Sequence, residues 1–229
     1  MEEATNVLFS IGPLEVTSTV TTTWVIILIL TLLSWIATRN LKEVPGPMQT
    51  VAEMAVGSLR NFFEGTLGKE YSRKYLPVLG TFFVFIVICN YSGILPGAGH
   101  LKGFAVPTAC LSVTAGLGVV AFFTTHVIGI RERGLKHYLA SFAKPLILVV
   151  LMLPLNILEQ FIRPMSLALR LFGNMYGEEH VTEQLYEILS LSAPLVMNVL
   201  SLLFCFLQAV VFTMLLSAYI AEAVESEEE

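Results

Sequence analysis

Two arginines occur where a lipid-soluble chain has least use for them. In "NILEQFIRPMSLALRLFGNMYGEEH", residues 156 to 180, Arg163 and Arg170 are set among apolar neighbours; the other charged, amide or imidazole groups are Asn156, Glu159, Gln160, Asn174, Glu178, Glu179 and His180. A guanidinium keeps its proton in any protein environment, and near the centre of a bilayer it costs from about 2.5 to more than 10 kcal/mol. At about 100° per residue on a helix, Asn156, Glu159, Arg163, Arg170, Asn174 and Glu178 fall within one ~100° sector. Such a stripe cannot face lipid, so it faces another helix, a water-filled cavity or a moving partner. The chemistry it allows is cation handling, since acidic groups attract cations and a carboxylate or imidazole relays protons. The competing reading is structural. Arg170 could pair with Glu159 or Glu178 merely to hold helices together, and Arg163 with Glu159, four residues apart, could satisfy each other.

A second stripe lies further along. Ser201, Cys205, Gln208, Tyr219 and Glu222 all fall within about 60° of Gln208 on one side of an otherwise apolar helix. The turn between the two helices is placed at "SLSAP", Ser190 to Pro194: Arg170 is 22 residues before Ser192 and Gln208 is 16 after it, which brings them to similar depth. A turn at Gly177 is the alternative and separates them widely.

These stripes belong to elements dictated by composition. With 55% hydrophobic residues, 14% charged residues and a mean hydropathy of +0.74, the chain is far more apolar than a soluble domain. Its 229 residues are best counted in spans of about 20 each. Residues 19–38, 76–95 and 104–130 predict three spans. Residues 47–65 carry apolar groups at helical spacing with charges opposite, which predicts an amphipathic helix lying on the membrane. Residues 145–189 and 194–224 predict two long helices. The first would run to roughly 65 Å if straight, about twice a hydrocarbon core, so tilting or a bend at Pro154 or Pro164 is expected. The predicted fold is an all-α integral membrane protein forming a single membrane domain, with about five crossings and one interfacial helix.

Six of the 13 basic residues lie between spans one and two and four follow span three, while the loop after span two has only Lys102. The positive-inside rule therefore puts residues 1–18 outside and the acidic tail, 225–229, in the cytoplasm. The start of the chain lacks the basic region of a signal peptide, so span one is expected to be retained. Cys89, Cys110 and Cys205 form no CxxC or Cys/His cluster, so neither a disulfide framework nor a metal site is predicted. "GTLGKEY" lacks the Walker spacing, and His100, His137 and His180 fall at span edges rather than as paired haem ligands. No cofactor and no nucleic-acid partner is predicted.

"PMSLALRLFGNMYGEE", with "LQAVVFTMLLSAYIAEAVE" downstream, resembles the a subunit of F-type ATP synthases. "NYSGILPG", "PTACLSVTAGLG" and "PLNILEQFIRPMSLALRLFGN" extend the likeness over most of the chain. The resemblance implies a membrane stator without a catalytic site of its own, which passes H+ or Na+ through two half-channels against a rotating c-subunit ring. Peripheral stalk subunits of the b type are its further implied partners. It also implies that Arg170 is the family's essential arginine, Gln208 the last-helix glutamine that approaches it, and Asn174 the motif asparagine. Glu179 takes the position of the family's acidic ion-path residue, with Glu178 and His180 beside it; Glu159 and Asn156 complete the candidate path on the Arg170 stripe. Many relatives read "PTAD" with an asparagine two residues later. Cys110 and Ser112 stand there in this chain, so no polar role is carried over to the start of span three. A bacterial plasma membrane is the expected location, with a thylakoid as the alternative, and a free-standing ion transporter or channel is the competing function.

Overall fold

The computed structural model of the chain describes residues 7–11, 14–39, 41–93, 105–141, 149–188 and 192–224. The acidic tail at 225–229, the loop after span two and the first two residues of the expected turn at Ser190 to Pro194 lie outside these residues, as does the beginning of the segment expected from 145.

The N-terminal region, expected only as an external tail, contains an antiparallel hairpin of β1 (Val7–Ile11) and β2 (Leu14–Thr17). β2 alternates apolar and polar residues, β1 is mostly apolar, and the sequence between them is Gly12-Pro13, a turn dipeptide. Next comes α1 (Ser18–Arg39), whose Trp24, Leu28, Leu32, Trp35 and Ile36 are exposed, as suits a lipid-facing helix. Its threonines are reconciled with that setting locally: the hydroxyls of Thr22 and Thr23 donate to the carbonyls of Ser18 and Thr19 at 3.0 and 2.8 Å.

The expected interfacial helix and second span prove to be two arms of one element, α2 (Pro47–Ser92). The break between them is Gly68, whose φ of 72° leaves the helical region and is open to glycine without steric cost. The charged stretch after Gly68 contains no other helix breaker until Pro77, so the helix resumes at once. In the first arm Val51 and Met54 are exposed while Phe63 and Leu67 join the core.

A 3-10 turn at Pro107–Ala109 precedes α3 (Leu111–Arg133), which therefore starts later than the apolar run that defined span three. Gly134, at φ 77° and ψ 148°, ends α3 in an extended positive-φ conformation open to glycine and redirects the chain into the short α4 (Leu135–Ser141). The last two elements are α5 (Val149–Ile188) and α6 (Ser192–Val224). Helix α5 continues through Pro154, Pro164 and Gly177, so the division falls at residues 189–191 and the Gly177 alternative is removed. Pro194 lies inside the first turn of α6, where its missing N–H costs no helical bond.

Helix α6 is the centre of the bundle and packs against α2, α3 and α5. Leu79 and Ile86 of α2, Leu171 of α5, and Phe212, Leu216 and Ile220 of α6 are fully buried there. Polar fasteners sit at both ends of this core. The Asn90 amide of α2 donates to the Cys205 carbonyl at 3.1 Å; Lys74 and the Tyr75 hydroxyl both donate to Glu132 of α3. Helices Ser18–Arg39, Pro47–Ser92 and Leu111–Arg133, and the segment Val199–Val224, have the length and apolarity of membrane crossings. Helix α5 falls short of that apolarity and runs antiparallel to α6. The architecture is that of an all-α, multi-pass membrane protein with one small N-terminal hairpin.

Candidate functional site

The two polar stripes meet. Asn174 of α5 donates from Nδ2 to Gln208 Oε1 at 2.6 Å. One turn further along α5, Glu178 faces Ser201 of α6. At the other end of the stripe, Arg163 forks onto both carboxylate oxygens of Glu222 at 2.6 and 2.9 Å and reaches Glu159 at 3.2 Å. Its guanidinium carbon also lies 5.3 Å from the centre of the Tyr219 ring. These three cross-helix links run in strict antiparallel order, which fixes how α5 lies along α6.

Arg170 differs from all of them. It is exposed, and among the described residues it forms no ion pair or hydrogen bond. Of the carboxylates that a purely structural arginine would have used, Glu159 is taken by Arg163 and Glu178 faces Ser201 of α6. Its helical neighbours Leu167 and Leu171 are buried, whereas Phe161, Ile162, Met165 and Leu169 are exposed. Leu203, Leu207 and Met214 of α6 are exposed as well. An unneutralised cation thus stands on an outward-facing apolar surface.

Sequence reasoning put Arg170 and Gln208 at one depth. The observed partner of Gln208 is Asn174, four residues further along α5, and Arg170 sits one helical turn before it. Gln208 is 5% exposed, and its Nε2 is buried with no hydrogen-bond partner among the described residues. An orphaned buried amide donor of this kind demands an acceptor, either an ordered water or an approaching group. Glu179 is exposed in the C-terminal part of α5, and His180 is half-buried with its ring edge-on to Tyr176 at 4.3 Å between centroids. Asn156 is half-buried near the start of α5.

Some polar residues were assigned no role beforehand. Asn90 lies in span two, where a lone amide is the signal, but its contact with the α6 backbone is visible only in three dimensions. His126 of α3 borders a small cleft shared with Gln160, Arg163 and Tyr219. Its Nδ1 donates to the Phe122 carbonyl at 2.8 Å. Cys110 and Ser112 are within 3.1 Å of each other at the start of α3. Among the described residues no three His, Cys, Asp or Glu side chains form a metal-ligand set. The arrangement can carry small cations along carboxylates and amides toward, but not through, a fixed guanidinium charge.

Residues 20–221 match the sequence profile of the family described as "ATP synthase A chain". Among similar proteins, ATP synthase subunit a 2 of Bradyrhizobium sp. (strain BTAi1) is 40% identical over 219 residues, which is 96% of this chain and 94% of the relative. ATP synthase subunit a 1 of Syntrophotalea carbinolica is 41% identical, covering 90% of this chain and 85% of its own length. ATP synthase subunit a of Moorella thermoacetica is 37% identical over 95% of each.

Proposed function

From the premise that the chain belongs to the ATP synthase A chain family, and is thus a membrane subunit of an F-type ATP synthase, we propose that it is the ion-translocating stator facing the c-subunit ring. The observation that carries this reading is Arg170: exposed, unpaired among the described residues and bordered by outward apolar side chains. A ring carboxylate passing through lipid must be neutral, holding H+ or Na+, because an isolated charge in hydrocarbon is prohibitive. Opposite Arg170 the same carboxylate is stabilised as an anion and releases its ion. The fixed charge also repels cations, so an ion cannot pass directly from one side to the other and must ride the ring.

Two offset paths then converge on this residue. The outer one uses Glu179, Glu178 and His180, with Asn174 and Gln208 as the amide pair nearest Arg170. The inner one uses Glu159 and Asn156 on the cytoplasmic half of the stripe. Each charge crossing 100 mV contributes about 2.3 kcal/mol, and the offset between the paths converts that into directional rotation. The ring's own carboxylate site selects H+ or Na+. Stalk subunits of the b type hold the stator against the torque. The bacterial relatives support a plasma-membrane location.

The test uses the assembled complex in membrane vesicles. A benzophenone-bearing maleimide on Leu169→Cys, next to Arg170, should capture a c subunit on illumination, and ATP should drive cation uptake. Capture of lipid alone, or ion flux from the purified chain without a ring, would overturn the assignment in favour of a free-standing channel.

A further inference from the structure

Arg163 shares the Arg170 stripe yet is fully committed to neighbours within the chain, and it sits at a weakened turn of α5. Pro164 follows it directly. A proline inside a helix has no N–H to donate, so the carbonyl of Gln160 loses its helical partner here, as that of Val150 does at Pro154. The bundle grips α5 from two sides here. On the α3 side, a Cβ added to Gly118 would come within 2.8 Å of the Pro164 carbonyl oxygen and 3.2 Å of Ala168 Cβ, so only glycine permits this approach. On the α6 side, Arg163 forks onto Glu222 at 2.6 and 2.9 Å with the Tyr219 ring beneath it. Of the α5–α6 polar links described above, this is the one with charge on both partners and two parallel bonds; the links at Asn174 and Glu178 each rest on a neutral donor. Bidentate arginine–carboxylate pairs fix orientation as well as distance, whereas apolar side chains along a helix pair tolerate sliding.

We infer that Arg163 is a positioning residue: its fork onto Glu222 sets the longitudinal register of α5 on α6, and thereby the depth at which Arg170 meets the ring. The inference rests on the stator reading for its consequence, but the register itself is a property of this chain. Loss of the fork lets α5 shift along α6, which moves Arg170 off the level of the ring carboxylate while leaving Arg170 chemically intact.

The experiment reads register directly in the assembled complex. In a chain with its three native cysteines replaced, Asn174→Cys is paired with Gln208→Cys, and separately with Phe204→Cys or Phe212→Cys, and each pair is treated with a short bifunctional thiol reagent. With Arg163 present, the 174–208 pair should link best. In Arg163→Gln that preference should fall at least severalfold in favour of an offset pair; in an otherwise unaltered chain the same substitution should lower ATP synthesis per assembled complex about tenfold. Arg163→Lys should restore the register only in part, and the exchanged pair Arg163→Glu with Glu222→Arg should restore it more fully. The exchanged pair and Arg163→Lys also decide the matter if Arg163→Gln does not assemble. An unchanged linking pattern in Arg163→Gln, whether or not transport falls, overturns the inference, as does failure of the exchanged pair to recover the 174–208 preference. Failure of the stator reading is separate: it would appear as ion-driven synthesis that persists in Arg170→Ala, with the linking pattern untouched.

Discussion

Arg163 and Arg170 lie seven residues apart on one face of one helix, and the molecule treats them oppositely. Arg163 is surrounded by two carboxylates and an aromatic face, so its charge is neutralised inside the subunit. Arg170 is left exposed among apolar side chains, and no carboxylate is spent on it among the described residues. An intramembrane arginine that the protein neutralises belongs to its architecture; one left unneutralised is held ready for a charge that arrives from elsewhere. The difference lies in the distribution of acids. Glu222 comes from the far end of α6 and Glu159 from the preceding turn of α5, both placed to reach residue 163, while at the level of residue 170 the nearest polar link is the neutral Asn174–Gln208 pair.

The contrast makes its strongest demand at Arg170. Arg170→Ala should leave assembly intact, because no bond within the described chain depends on it, yet reduce ion-driven ATP synthesis by at least about 100-fold, as removal of a key electrostatic group does. Arg170→Lys should fail comparably, since a compact ammonium presents different donors and sheds its proton when buried. The check is synthesis by vesicles normalised to the amount of complex; wild-type rates in either variant would erase the distinction between the two arginines.

A smaller effect is expected on the outer path. Glu179→Gln should slow ion flux several-fold without abolishing it, and cysteines at 178 and 179 should react with a membrane-impermeant thiol reagent from outside. Labelling solely from the cytoplasmic side would invert the topology. Unchanged flux in the double Glu178→Gln, Glu179→Gln variant would remove both residues from the path.

Smaller still is the amide pair beside Arg170. A double-mutant cycle on Asn174→Ala and Gln208→Ala, read as the heat-inactivation midpoint of the solubilised complex, should give a coupling of about 0.6 to 1.5 kcal/mol, typical of one neutral hydrogen bond between membrane helices. A coupling near zero would mean that the bond contributes nothing to the packing. The least effect belongs to Glu159→Gln, which should change stability by less than ~1 kcal/mol: its side chain is 48% exposed, and Glu222 already accepts both arms of Arg163. A loss as large as that from disrupting Glu222 would show that the two carboxylates share the arginine equally.

Much of this was readable from residue order. Composition and apolar runs are local properties, so they determined an all-α membrane chain and located its long helices. The 3.6-residue repeat alone aligned Arg163, Arg170, Asn174 and Glu178 on one side of a helix, because angular position depends only on sequence separation. The same local reasoning anticipated a special conformation neither at Gly68, which joins the interfacial arm to the second span, nor at Gly134, which ends α3; a glycine permits positive φ without requiring it. The N-terminal hairpin was similarly silent beside the much stronger apolar signal that follows it.

What the sequence could not decide was the partner of each polar group. Arg163 had an obvious candidate four residues away in Glu159, and took Glu222, 59 residues distant, as its bidentate partner instead. Gln208 was placed at the depth of Arg170 by counting from an assumed turn, and bonds Asn174 one turn away, because the actual register follows from how α5 and α6 pack rather than from loop arithmetic. The sequence by itself determined that two cations lie on one helical face of a membrane protein. Only the tertiary structure decided which of them is neutralised, since ion pairing requires carboxylate oxygens within about 3 Å and that proximity is created by helix packing, not by spacing along the chain.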